Sequence, residues 1–359
     1  MSIIIKRKGL YYLCEMEKNL NSVENLGEFG LIEKLTKNIT NQHKSTKLGI
    51  GDDAAVINNG DLETVISTDM LIEGIHFDMV FTPLKHLGYK AVAVNISDIC
   101  AMNATPKQIL VSLGFSSKFS VEAIEEIYNG IKHAASVYNI DIIGGDTTTN
   151  PTGLVISITA IGEANKTDLV YRSGAKENDL IVVSGDLGGA YMGLNVLQRE
   201  KEVWKTNPKI QPDLAGHDYI LERQLKPEPR LDIISDLKKE GIKPTSMIDI
   251  SDGLASEVIH LCKQSNKGCQ LFENKIPIDP VTSKTAIDFN INPTTCALNG
   301  GEDYELLFTV DIQSFDKVKN NPNLSVIGHI TNEESGINLI SNGDQSTPLK
   351  AQGWDHFSN

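Results

Sequence analysis

The chain has 359 residues, 40% hydrophobic and 22% charged, which is ordinary for a globular protein and long enough for two cores. A net charge of −14 gives no support to a nucleic-acid role, and no apolar run approaches the ~18 residues that span a bilayer. The five cysteines are odd in number and lack a C-x-x-C, so neither a disulfide framework nor a zinc knuckle is implied and a reducing cytoplasm fits.

Residues 1–25 read as an N-terminal extension. Lys6, Arg7 and Lys8 follow an apolar start, which is the wrong order for a signal peptide. Apolar Phe29, Leu31, Ile32 and Leu35 predict a short helix over 27–36, and a strand is expected near Val65–Ser67. Leu87–Met102 is apolar nearly all round, as a buried helix is. A strand at Ile109–Leu113 precedes an amphipathic helix at Val121–Tyr138, and strands follow at Ile140–Ile143 and Leu154–Ile161. These alternating elements predict a first α/β domain over 26–165. A polar linker, 165–179, leads to a second α/β domain within 166–359. Its expected elements are strands at Leu180–Ser184, Ser246–Ile250, Tyr304–Val310 and Leu324–Ile330, and helices at Leu187–Leu197 and Gly253–Gln264. Charged, proline-bearing residues 199–230 read as an excursion. Pro227, Pro229 and Arg230 come just before a helix start.

Acidic residues beside glycines and hydroxyls recur along this frame: Gly51-Asp52-Asp53, Ser67-Thr68-Asp69, Asn95-Ile96-Ser97-Asp98, Gly144-Gly145-Asp146-Thr147-Thr148, Asp249-Ile250-Ser251-Asp252-Gly253 and Gly300-Gly301-Glu302-Asp303. Most adjoin an apolar run, which places carboxylates at strand ends or helix starts, aimed inward. Two unit charges about 4 Å apart cost on the order of 4 kcal/mol at an effective dielectric near 20. Divalent cations relieve that cost, so the pattern predicts a multi-metal site that handles phosphates. Singly, each motif also reads as a turn or an N-cap. Asp98 is the sharpest, because it interrupts an apolar run and a lone buried carboxylate is costly unless paired or metal-bound. Thr68 and Asp69 are expected to bring a hydroxyl and a carboxylate to one point, and Mg²⁺ favours such hard oxygens. Gly144-Gly145-Asp146 reads equally as a phosphate-cradling turn or an ordinary strand-to-loop turn. His76 reads as a core histidine with a backbone partner, and Trp354 either packs or stacks on a flat ligand. No Walker A loop or protein-kinase pattern is present.

Taken in order, these strings, with the terminal Gly353-Trp354-Asp355-His356-Phe357, resemble the thiamine-monophosphate kinases. These belong with the aminoimidazole ribonucleotide and selenophosphate synthetases. The resemblance runs from about Gly27 to Phe357 and implies a two-domain, synthetase-like α/β fold of the α+β type, whose N-terminal domains pair across a homodimer. It implies transfer of the ATP γ-phosphate to thiamine monophosphate. It implies a Mg²⁺ shell of Asp53, Thr68, Asp69, Asp98, Asp146 and Asp249, with Ser67 and Asp252 added. Nucleotide contacts fall on Tyr128, Gly145, Asp146, Arg172 and Ser251, and substrate contacts on His76, Glu302 and Trp354. The acceptor phosphate has a second pKa of about 6 and is mostly a dianion at pH 7, so no general base is expected. One departure is Asn103, where the family usually has glycine. A selenophosphate synthetase would show a reactive Cys near a Gly-rich N-terminal segment, a setting Cys14 lacks. A divalent-ion-binding maturation scaffold would turn over no ATP with any phosphate acceptor.

Overall fold

The computed structural model describes residues 27–351, so the N-terminal extension and Trp354 lie outside the described residues. The described residues fall into two units, 27–40 and 41–351. The described part of the first contains helix α1 (Gly27–Thr36), as its apolar spacing predicts.

The second unit contains two sheets. The first is built from β1 (Thr46–Leu48), β2 (Ala55–Asn58), β3 (Leu62–Ile72), β4 (Thr105–Phe115), β5 (Asp141–Thr149) and β6 (Leu154–Asn165), in the order β1-β2-β3-β6-β4-β5. All pairs are antiparallel except β4 with β5. Helices α2 (Leu84–Ala101) and α3 (Val121–Val137) lie between strands in the chain, and α2 packs on β3 and β6. Leu154, Ile156, Ile158 and Ala160 of β6 point into the core, and the residues between them are half-buried. This is the period of two expected of a sheet covered on one side.

The second sheet has the order β13-β12-β9-β11-β7-β10-β8. Its strands are β7 (Leu180–Ser184), β8 (Ser246–Asp249), β9 (Gly268–Phe272), β10 (Leu306–Val310), β11 (Leu324–Thr331), β12 (Ile337–Ile340) and β13 (Ser346–Pro348). Strands β7, β8 and β10 are buried along their whole length. Helix α2 also touches β8, which explains why it is apolar all round: it is packed by both sheets.

Three expectations change. Residues 199–230 are half helical: α4 (Gly189–Thr206) runs on and α5 (Asp218–Leu225) follows, with α6 (Leu231–Lys239) starting just beyond them. Charges such as Glu202 and Lys205 line solvated faces, whereas Glu200, Ile220 and Leu221 are buried and Arg223 and Arg230 reach inward to Glu305. Second, Thr68 and Asp69 lie inside β3, not after it. Third, Gly144-Gly145-Asp146 is strand, not turn. Ile109 pairs with Ile142 but Leu110 pairs with Gly144, so Ile143 is one extra residue in a bulge. Gly145 admits no side chain there, because a Cβ would stand 1.7 Å from the Val111 carbonyl oxygen. Asn103 closes the end of α2 with φ 54°, and its Nδ2 donates to the Asp168 carbonyl at 2.7 Å. The turn therefore forms without glycine, since asparagine tolerates the left-handed region.

Candidate active site

Helix α7 (Leu254–Ser265) completes the frame around the acidic residues. Asp53 enters from the loop before β2, Asp98 from α2 and Asp249 from the end of β8. One oxygen of each lies within 4.8 Å of the others. Three segments far apart in the chain thus meet, because α2 is the layer both sheets share.

Each acid is held differently. Arg172, on the segment between the sheets, donates from Nε at 3.1 Å and Nη2 at 2.6 Å to the same Asp53 oxygen, Oδ1. The other oxygen, Oδ2, is buried with no hydrogen-bond partner. Ser97 Oγ donates to Asp249 at 2.5 Å, and the Ser67 hydroxyl donates to Asp98. Among the described residues, no lysine or arginine pairs with Asp98. Asn95 is an anchor: its Oδ1 accepts from the Asp69 N–H at 2.8 Å, and its Nδ2 donates to the Ala91 carbonyl.

The titration of the group follows from burial and crowding. Asp98 is pushed well above the carboxylate range by burial, then by Asp69, Asp249 and Asp53. Asp249 is raised to about 7 by burial and Asp53. Asp52, whose oxygens accept from the Arg172 N–H at 3.3 Å, is also raised to about 7, by burial and Asp53. Tyr304 is raised by burial and by Glu302, Asp69, Asp249 and Asp252 around it. The acids outnumber the cations, and the structure fits a divalent cation on two counts: three convergent hard oxygens and the orphaned Asp53 Oδ2.

A second segment faces this group. Glu302 and Tyr304 adopt φ 58° and 52°, uncommon for residues with bulky side chains. The Glu302 N–H donates to the Ser251 carbonyl at 2.6 Å, and the Tyr304 N–H to the Ile250 carbonyl at 2.8 Å. Ser251 and Asp252 therefore sit beside Glu302. The Asp252 N–H donates to Glu257, itself buried and raised well above the carboxylate range by burial and Asp252.

Other predicted residues are not gathered here. Thr68 alternates to the opposite face of β3 from Ser67 and Asp69, and its hydroxyl donates to the Ile158 carbonyl at 3.0 Å. Its hydroxyl and the Asp69 carboxylate therefore do not converge. Gly145 shares a cross-strand row with Asp69 through Ile158 and Val111. Three strand spacings put it and its neighbour Asp146 about 14 Å away, on the exposed edge strand. Tyr128 packs on the core from α3. His76 Nδ1 accepts from the Ile72 N–H at 3.0 Å, as a backbone-partnered histidine would. Lys90 stands outside every acidic motif and Ser97, though inside one, has no role assigned by it; each carries a signal, a polar side chain inside an apolar helix.

The fold and the acidic group define a class first. Residues 51–164 match the model of the AIR synthase related protein, N-terminal domain. The chain is 34% identical over 341 residues to the thiamine-monophosphate kinase of Bacillus subtilis, covering 92% of this chain and 100% of that one. It is 32% identical over 343 residues to the enzyme of that name from Escherichia coli K12, covering 92% and 98%. The structure of AaThiL complexed with AMPPCP and TMP superposes with a TM-score of 0.80 at 29% identity, over 94% of this chain and 99% of that one. The chain belongs to the thiamine-monophosphate kinase family and has its two-domain fold.

Proposed function

We propose that this protein transfers the γ-phosphate of ATP to thiamine monophosphate, giving thiamine diphosphate. The observation that carries the reading is the convergence of Asp53, Asp98 and Asp249 with one arginine between them, in a chain of this family. The likeness to a structure holding AMPPCP and TMP supports the substrate pair.

Asp53, Asp98 and Asp249, with Ser67 and Asp69 beside them, would hold Mg²⁺. Bound there, it supplies charge that offsets both the carboxylates and the phosphate oxygens. Arg172 is pinned on Asp53 by two donors and adds fixed positive charge beside the nucleotide. The acceptor phosphate needs no base to activate it. Glu302 would take the thiamine moiety with His76 and Trp354, while Ser251 and Asp252 beside it would serve the nucleotide and the metal.

The uncovered face of the first sheet supports a homodimer. Met70 is 51% and Ile143 54% exposed, and all of β5, with Gly145 and Asp146, is exposed. Pairing of this face would complete the nucleotide side from Tyr128, Gly145 and Asp146. The break near residue 165 between the strands of the two sheets supports domains at 26–165 and 166–359. Four free, buried cysteines and the lack of any helix among the described residues long and apolar enough to cross a membrane support a cytoplasmic site of action.

Incubation with ATP, Mg²⁺ and thiamine monophosphate should yield ADP and thiamine diphosphate in equal amounts. Bare thiamine should yield neither. ADP release without thiamine diphosphate, or no turnover at all, would remove the proposal.

A further inference from the structure

We infer that Lys90 and Gln224 are positioning residues that turn Glu302 into an oriented hydrogen-bond acceptor for an N–H donor on the substrate's ring system. The inference rests on the proposed reaction and deepens it by naming what the acidic residue reads.

Lys90 lies in α2 and is 2% exposed. A lysine is rarely so buried unless it has a partner. Its Nζ donates to Glu302 Oε2 at 2.8 Å and to the Gln224 carbonyl at 3.2 Å. Gln224 Nε2 donates to the same Oε2 at 2.8 Å. Two donors therefore saturate one carboxylate oxygen. No described residue donates to Oε1, and the Glu302 side chain is 28% exposed. One oxygen is bound by the protein and the other is left towards the ligand.

Gln224 supports this arrangement by what it forgoes. Its Oε1 is buried with no partner, which is unfavourable for a polar atom. Rotating the amide would not help, because it would set that oxygen against the Glu302 carboxylate. The contact to Glu302 is what the residue retains in exchange. The backbone adds a second constraint, since Glu302 is held at φ 58° with its N–H on the Ser251 carbonyl.

Charge decides what the free oxygen reads. Unpaired, Glu302 would be a counter-ion for any cation. Paired with Lys90, it carries little net charge and favours a directional donor. Thiamine offers both a cationic thiazolium ring and a neutral aminopyrimidine with an exocyclic amino group. The geometry selects the amino group. A site built around a substrate N–H rejects analogues that lack it, because the buried acceptor is then left unpaired.

The test uses the full-length protein, thiamine monophosphate, and its analogue with a carbonyl oxygen in place of the exocyclic amino group. Wild type should prefer the amino compound in kcat/KM. Lys90→Met and Gln224→Leu should each raise the KM for thiamine monophosphate about tenfold and shrink the preference, with the KM for ATP unchanged. A general packing defect would instead lower the melting temperature and affect both substrates alike. If Lys90→Met does not fold, Gln224→Leu carries the test. Variants that keep the wild-type KM and preference, or lose both substrates equally, would overturn the inference. A wild type inactive on thiamine monophosphate would overturn the proposed reaction first and this inference with it, whereas an active wild type without preference would overturn this inference alone.

Discussion

Two buried charge clusters lie at the paired ends of β8 and β10, where Asp249 stands opposite Leu306, and they are built differently. Asp52, Asp53, Asp98 and Asp249 share one arginine, Arg172, which reaches Asp53. Asp303 and Glu305 instead face two arginines. Glu305 accepts from Arg223 Nη1 at 2.9 Å, from Arg230 and from the Ser184 hydroxyl. Asp303 accepts the Gly188 N–H at 2.8 Å and the Ala190 N–H at 3.4 Å, with Arg223 at 3.8 Å. The second cluster is neutralised from within and ties α4 and α5 to β10. The first is left short of positive charge. A buried ionic group that balances itself is architecture, whereas one left in deficit is completed by a ligand.

The largest effect that would sharpen this contrast is on rate. Asp98→Asn should lower kcat by about 10²–10³-fold without lowering the melting temperature, since burial and the neighbouring carboxylates already favour the neutral form that asparagine imitates. Steady-state kinetics and thermal unfolding together check it, and a normal rate with a lower melting temperature would make Asp98 structural. The balanced cluster should respond in the opposite way. Glu305→Gln strands two arginines and should cost about 3–5 kcal/mol of stability in urea unfolding, with kcat per folded molecule largely kept.

The pH dependence of stability comes next in size. Asp52 and Asp249 titrate near 7 in the folded chain, against 3.8 for the ordinary group. The folded state then binds more protons than the unfolded state between these values, so stability should fall as pH rises from about 4 to about 7. Asp303, also raised to about 7 by burial, adds the same sign. The part that Mg²⁺ restores at pH 7.5, read as a denaturation midpoint with metal and with chelator, belongs to the deficient cluster. A pH slope unaffected by Mg²⁺ would erase the distinction. The smallest effect is expected for Ser97→Ala, which removes one donor from Asp249 and should cost about 1–3 kcal/mol.

Much of this was legible from sequence where one residue's surroundings are local. Helix α2 was marked by apolar residues on every side, and Asp98 by interrupting them. Strand β7 fell at Leu180–Ser184, as a short apolar run between polar segments should. What misled was geometry that depends on a neighbour. Gly144-Gly145-Asp146 looks like a turn until β4 is known to run against it, because glycine suits both a turn and a close backbone approach. Thr68 and Asp69 are adjacent in sequence yet face opposite ways once the strand is known to continue. The contact of Arg172 with Asp53 spans 119 residues and has no local signature. Lys90 pairs across 212 residues with Glu302, and Glu302 itself gave no hint of its left-handed backbone.

Asn103 shows how such a chain absorbs change. It holds a backbone shape that glycine adopts more cheaply, yet its amide fastens the end of α2 to the stretch leading into the second sheet. Replacing it with glycine would relax the main chain and cut the fastening, two opposed effects of similar size. Drift at this corner can therefore pass unnoticed by the reaction, whereas the same exchange at Glu302 would remove the carboxylate that Lys90 and Gln224 both hold.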